Sequence, residues 1–156
     1  MKLSDLFEAA KKPQFVLVMG GGGSGKNHFI SNDAVLKKYA LIDVDEIKKT
    51  VPLDAAIKAT KEELLKAFAA GKNVAHPTTG SNLKGQINKI KAAKDAGYEV
   101  TLILKDTSIE QAMKQVAKRV EAGGHGVLEK DIIASNQKAR ENFNELKSMV
   151  DHSKIV

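Results

Sequence analysis

The 156 residues contain no cysteine, which excludes a disulfide framework and any thiolate metal site. No apolar run approaches the ~18 residues that a membrane-spanning helix requires. Tryptophan is missing and aromatic residues make up only 4% of the chain, which weakens any mode of single-stranded nucleic-acid binding built on base stacking. Arginine is scarce: Arg119 and Arg140 stand alone, both in the last third. Lysine therefore carries nearly all of the net charge of +6. A basic excess suits anionic ligands such as nucleotides, sugar phosphates or nucleic acid. Because the lysines are spread along predicted helices, most of them read as a solvated face. The first residues, MKLSDLFEAAKK, are too acidic and too short in apolar run for a secretory signal, so the expectation is a cytoplasmic protein. No repeat, low-complexity stretch or interdomain linker divides the chain, and its length suits one domain with a real core.

What is present centres on residues 14–30, QFVLVMGGGGSGKNHFI. Phe15 to Met19 is a short apolar run rich in β-branched residues, the pattern of a buried parallel strand. Gly20-Gly21-Gly22-Gly23-Ser24-Gly25-Lys26 follows, and Phe29 and Ile30 open an apolar helix face. Strand, glycine loop, lysine, helix is the context of a phosphate-binding P-loop. Glycines let backbone N–H groups wrap a polyphosphate closely, and the helix N-terminus favours an anion. Lys26 supplies a point charge for the β- and γ-phosphates. The G-x-x-x-x-G-K spacing is complete, but Asn27 stands where the pattern asks for Ser or Thr. The candidate nucleotide-binding set is Gly20, Gly21, Gly22, Gly23, Ser24, Gly25, Lys26, Asn27 and His28, with Arg119.

Along the chain, Ser4 caps a predicted helix over residues 5–11 that carries Leu6 and Phe7. A helix is predicted from about Gly25 to Lys38, then a second strand over residues 39–44. Asp54 caps a long helix with Ile57, Leu64, Leu65 and Phe68 on one face, closed by Gly71. A third strand, Asn73 to Ala75, runs into His76-Pro77-Thr78-Thr79-Gly80. Ser81 caps a helix with Leu83, Ile87, Ile90 and Ala93 inward, and Gly97 ends it. Tyr98 to Leu104 is the clearest later strand. Ser108 and Gln111 form a capping box for a helix bearing Ile109, Met113, Val116 and Val120. After Gly123-Gly124-His125-Gly126, a last helix carries Ile132, Ile133, Ala139, Phe143, Leu146 and Val150. A final strand begins near Ile155. Alternating strand and helix units imply an α/β fold with a parallel sheet.

Asp43 and Asp45 fall at the carboxyl end of the second strand, where open α/β sheets gather their ligands. One is expected to cap the next helix and the other to work. Asp45 lies beyond the strand and is the candidate general base. Asp43 and Asn27 are the candidate magnesium ligands. The hydroxyls of Thr78 and Thr79 either touch substrate or metal or simply form a turn. Arg119, four residues before a glycine break, suits a lid over residues 119–131 that closes on phosphates. His125 either touches phosphate or orders the turn, and Arg140 reads as part of a solvated face.

The order of these motifs carries a resemblance. P-loop, I-D-x-D, T-G-S, then A-K-D-A-G-Y-E-V and R-V-E-A-G-G-H-G-V is similar to the zeta-toxin-like P-loop kinases, including their small phage and bacterial members. The resemblance implies a three-layer P-loop kinase fold with strand order 2-3-1-4-5 and phosphoryl transfer from a nucleoside triphosphate to a hydroxyl. By motif match, Lys26 would bind the β/γ-phosphates, Asp45 would be the base and Arg119 the lid cation. Two departures stand out: Asn27 replaces the magnesium-binding hydroxyl, and His76-Pro77-Thr78 replaces an acidic residue that often precedes T-G. The expected function is a kinase moving the γ-phosphoryl group of ATP or GTP, with Mg²⁺, onto a small molecule such as a nucleotide-sugar or nucleoside. Nucleic acid is a less favoured partner and a membrane is none. Two rivals remain open, a 5′-polynucleotide kinase and a nucleotide-binding protein that acts through a partner with little catalysis.

Overall fold

The structure, a computed structural model, describes residues 11–123 and 129–156. Ser4, Leu6 and Phe7 of the first predicted helix, and His125 in the glycine segment, lie outside the described residues.

Five parallel strands form one sheet in the order β2-β3-β1-β4-β5. They are β1 (Gln14–Met19), β2 (Ala40–Leu41), β3 (Val74–Thr78), β4 (Glu99–Leu104) and β5 (His152–Ile155). The expected order is the observed one. Between them run α1 (Lys26–Asn32), α2 (Val44–Ile47), α3 (Leu53–Ala69), α4 (Leu83–Asp95), α5 (Ile109–Glu121) and α6 (Glu129–Leu146).

The pleat of β1 explains the layering. Phe15, Leu17 and Met19 point to one face and join Leu64, Phe68, Ile90, Phe143 and Leu146 from α3, α4 and α6. Val16 and Val18 point to the other and meet Ile30 and Leu36. Every residue of β1 is buried, so a continuous apolar run was needed, and each large side chain contributes roughly 1.5–3 kcal/mol on burial. Helices thus cover both faces of the sheet.

Local chemistry moves several expected boundaries. The helix predicted to run to Lys38 stops at Asn32, because the Asp33 carboxylate accepts from the N–H groups of Val35 and Leu36, both at 2.9 Å, and starts a separate 3₁₀ turn, Leu36–Lys38. The second strand covers only Ala40–Leu41. Asp43 turns the chain by capping α2, its Oδ1 accepting from the Asp45 N–H at 3.0 Å. Pro52, not Asp54, occupies the N-cap of α3, and Asn82, not Ser81, caps α4 by accepting from the Gly85 N–H at 3.1 Å. Ser108 caps α5 as expected.

The third strand runs three residues further than predicted, through His76 and Pro77 to Thr78. Proline fits there for a reason of register. The Ala75 carbonyl faces β2, where it accepts from the Ile42 N–H at 3.1 Å. Pro77, two residues on, faces the same side, but β2 has already ended. The missing N–H therefore removes no ladder bond.

Three apolar faces also differ from expectation. On α3 the core takes Ala56, Thr60, Leu64, Ala67 and Phe68, while Ile57 and Leu65 remain exposed. On α5 Ala112 and Val116 are buried, and Met113 and Val120 are not. Ile133 of α6 is exposed, its place inside taken by Ile132 and Asn136.

Candidate active site

The loop after β1 takes its shape from its glycines. The Gly20 N–H donates to the Thr78 carbonyl at 3.1 Å, holding the start of the loop at the sheet's carboxyl edge. The Ser24 N–H donates to the Gly21 carbonyl at 3.1 Å and closes the turn. Gly23 and Gly25 have φ of +71° and +83°, left-handed values that disfavour any side chain. Gly25 is the N-cap of α1, so Lys26 and Asn27 occupy its first two positions.

Two later helices brace this loop. A Cβ on Gly23 would lie 2.3 Å from the Ala112 carbonyl oxygen of α5, and one on Gly21 would lie 2.5 Å from the Asn136 backbone nitrogen of α6. The Gly22 N–H donates to Ser135 Oγ at 2.9 Å, and Asn136 Nδ2 donates to the Gly22 carbonyl at 3.1 Å. Ser135 and Asn136 were not anticipated. Their signal was an asparagine on the inward face of the last helix, four residues after Ile132 and three before Ala139. Ser24 Oγ is buried and has no hydrogen-bond partner among the described residues.

The acidic side of the site comes from the turn after β2. Asp43 is buried, and its Oδ2 accepts from Asn27 Nδ2 at 2.8 Å. The two residues expected to share a magnesium ion are therefore in contact. Asp45 is exposed and pairs with Lys48 at 3.3 Å. Of the two aspartates, Asp43 is the one that caps, and Asp45 is left exposed.

Lys26 couples these groups. Burial pulls its ammonium pKa below the ordinary lysine value, Asp45 and then Asp43 oppose that shift, and Arg119 adds to it. Lys26, Asp43, Asp45 and Arg119 thus share one electrostatic neighbourhood, although they come from three elements, α1, the capped start of α2 and α5. Arg119 itself sits exposed in the last turn of α5. His28 is exposed on α1, and only its carbonyl, which accepts from Ser31 Oγ and Asn32 Nδ2, is hydrogen-bonded among the described residues. Arg140 is not a free surface cation: its Nε donates to Asp106 at 2.7 Å and its NH2 group to the Thr107 carbonyl at 3.0 Å, tying α6 to the turn after β4. Thr78 Oγ1 accepts from the Gly80 N–H at 3.3 Å, and Thr79 Oγ1 meets Ser81 Oγ at 3.1 Å, so both hydroxyls help to form the turn.

A glycine loop that leaves the carboxyl end of the central strand β1 and opens a helix, in a parallel sheet of order 2-3-1-4-5, defines the P-loop kinase fold. The sequence profile of the Zeta toxin family matches residues 2–156, and the chain belongs to that family. No curated protein matches it in sequence. Among solved structures, the PezAT toxin–antitoxin system of Streptococcus pneumoniae aligns with TM-score 0.75 at 20% identity, over 94% of this chain and 69% of that one. The Pnkp1/Rnl/Hen1 RNA repair complex aligns with TM-score 0.71 at 16% identity, over 88% of this chain but 47% of that one, about half its length. Shikimate kinase from Acinetobacter baumannii, in complex with shikimate, aligns with TM-score 0.51 at 16% identity, over 96% and 86%. Membership in this family implies binding of a nucleotide and a substrate. No helix among the described residues is long and apolar enough to cross a membrane.

Proposed function

We propose that the protein transfers the γ-phosphoryl group of ATP or GTP to a hydroxyl of a small molecule. The observation that carries this reading is the glycine loop that opens α1 at Lys26 and, through Asn27, meets the Asp43 carboxylate at 2.8 Å. The loop N–H groups and Lys26 hold the β- and γ-phosphates. Asp45 accepts the acceptor's hydroxyl proton as that oxygen bonds to the γ-phosphorus and the bond to the bridging β-phosphate oxygen breaks. Arg119 neutralises charge on the transferring group in this reading. The unpartnered Ser24 hydroxyl suits a phosphate oxygen as acceptor.

Asp43 and Asn27 fit a magnesium ion by donor type. Each Asp43 oxygen accepts one hydrogen bond and keeps further lone pairs, and the Asn27 amide oxygen has no partner among the described residues. One carboxylate and phosphate oxygens are a common magnesium set. When bound, the ion draws charge off the phosphate oxygens.

A small acceptor is favoured over a polynucleotide. The lysines beside Asp45 lie next to acids of their own turn, Lys48 to Asp45 at 3.3 Å and Lys49 to Glu46 at 3.0 Å, and aromatic residues for stacking bases are few. The test uses ATP labelled at the γ-phosphate with nucleotide sugars, nucleosides and 5′-hydroxyl oligonucleotides as acceptors. Label is expected on a small acceptor. Asp45→Asn is expected to abolish transfer while calorimetry finds nucleotide affinity nearly unchanged. Label on the oligonucleotide would select the polynucleotide kinase, and tight ATP binding with no labelled acceptor would select a non-catalytic role.

A further inference from the structure

Leu53, Ile57, Lys61 and Leu65 recur at four-residue spacing on α3 and form a stripe outside the core. Leu53, Ile57 and Leu65 are 55%, 57% and 48% exposed. The stripe forms one wall of a cavity of about 510 Å³ between α3 and α4, with Phe68 and His76 at its depth and Lys89 on the far wall. Its rim includes Val44, the neighbour of Asp45, and Thr78 at the end of β3. The cavity thus reaches the residue before the proposed base, although Asp45 itself does not line it, and its volume suits a small ligand.

Lys89 is held in an unusual way. His76 is buried in β3, and its Nδ1 lies 2.6 Å from the Ile42 carbonyl oxygen. A carbonyl only accepts, so Nδ1 carries the proton and Nε2 is left as an acceptor. Lys89 Nζ donates to that Nε2 at 3.0 Å and to Gln86 Oε1 at 3.3 Å. Both partners are neutral, and Lys89 forms no ion pair with a carboxylate among the described residues. Burial alone lowers its pKa to about 8, and His76, desolvated and facing the ammonium, is lowered to about 3. An ammonium drawn out of water with only neutral partners destabilises a fold relative to an apolar side chain. Its third N–H is free to face the cavity, which is mostly apolar and lacks a counter-charge.

We propose that this cavity binds a hydroxyl-bearing amphipathic acid. Its apolar body lies along Leu53, Ile57 and Leu65, its anionic group sits on Lys89 Nζ, and its hydroxyl is directed towards Asp45. The role of that hydroxyl as phosphoryl acceptor rests on the reading above, whereas the binding of the acid does not. Lys89 is then the residue that selects an anionic ligand over a neutral one, and the neutral His76 is the positioning residue that orients it.

Calorimetric titration of the full chain, without nucleotide, with octanoate, octyl phosphate and octan-1-ol tests this. At least one of the two anions is expected to bind about tenfold to a hundredfold more tightly than the alcohol, as a charge-assisted hydrogen bond allows, and the better anion tells carboxylate from phosphate. Lys89→Met is expected to remove the preference for the anion, retain binding of the alcohol and leave the melting temperature equal or higher. Ile57→Glu, at a side chain outside the core, is expected to weaken all three ligands. The proposal is overturned if neither anion outbinds the alcohol, if Lys89→Met keeps the anion preference, or if Ile57→Glu leaves binding unchanged. Since no nucleotide is present, these outcomes are independent of whether the P-loop transfers phosphate.

Discussion

Asn27 shows how one substitution in a motif is absorbed by its neighbours. The hydroxyl that usually follows the P-loop lysine is short and can face a metal. The asparagine amide instead spends its NH₂ group on Asp43 Oδ2 at 2.8 Å. Asp43 is thereby held from two sides, by Asn27 and by the Asp45 N–H. The longer side chain is expected to bind magnesium less closely than a hydroxyl would, since magnesium tolerates little departure from short octahedral ligation. Asn27→Thr is therefore expected to lower the magnesium concentration needed for half-maximal ATP turnover several-fold and to raise the rate. Magnesium titrations of both proteins measure this. A higher magnesium demand with a lower rate would instead mark Asn27 as fitted to this protein's own ligand. Sequence spacing singled out Asn27, Lys26 and Asp45 as candidates because each belongs to a contiguous motif. It missed the Asn27–Asp43 contact and the loop contacts of Ser135 and Asn136, because those pairs lie 16, 113 and 114 residues apart and only the folded sheet brings them together.

At the scale of elements, the glycine loop is clamped by α5 and α6, and its glycines are not equivalent. Alanine at Gly21 would place a Cβ 2.5 Å from the backbone of Asn136, which a rigid helix cannot relieve, whereas at Gly22 the nearest atoms stand at 3.7 and 3.8 Å. Gly21→Ala is expected to cost about 1–3 kcal/mol and lower the melting temperature by about 3–10 °C, with Gly22→Ala close to the parent. Thermal unfolding of both variants reads the contrast. Element types were legible from hydrophobic period and from glycine and proline punctuation, and the strand order followed from the family resemblance. Boundaries were less so where a single carboxylate acts locally: Asp33 ends α1 and Asp43 ends the run that starts at β2. The inward face of α3 was also misread. Ile57 and Leu65 share a helical stripe with Leu53, and periodicity alone does not distinguish a stripe that meets the core from one that lines a cavity.

Across the whole molecule, the buried lysine gives stability a distinctive pH dependence. Lys89 titrates near pH 8 when folded and near 10.5 when unfolded. Between those values the unfolded chain holds the proton and the folded chain has lost it, so stability rises with pH through that window. Below it, the charged lysine carries its full penalty. Lys89→Met is therefore expected to be more stable than the parent by about 1–3 kcal/mol at pH 7, and the gap should narrow by pH 10. His76 and Lys61, the other titratable groups lining that cavity, are present in both proteins. Urea unfolding of the pair at several pH values measures the difference. The same sheet also closes one of its flanks without a strand. Beyond the two residues of β2, Pro77 of β3 has no N–H to pair and is itself buried, so the backbone past the end of that ladder is covered. With no donor left unpaired there, the sheet needs no further strand at that point, and β2 can stop after two residues and hand the chain to the Asp43 turn.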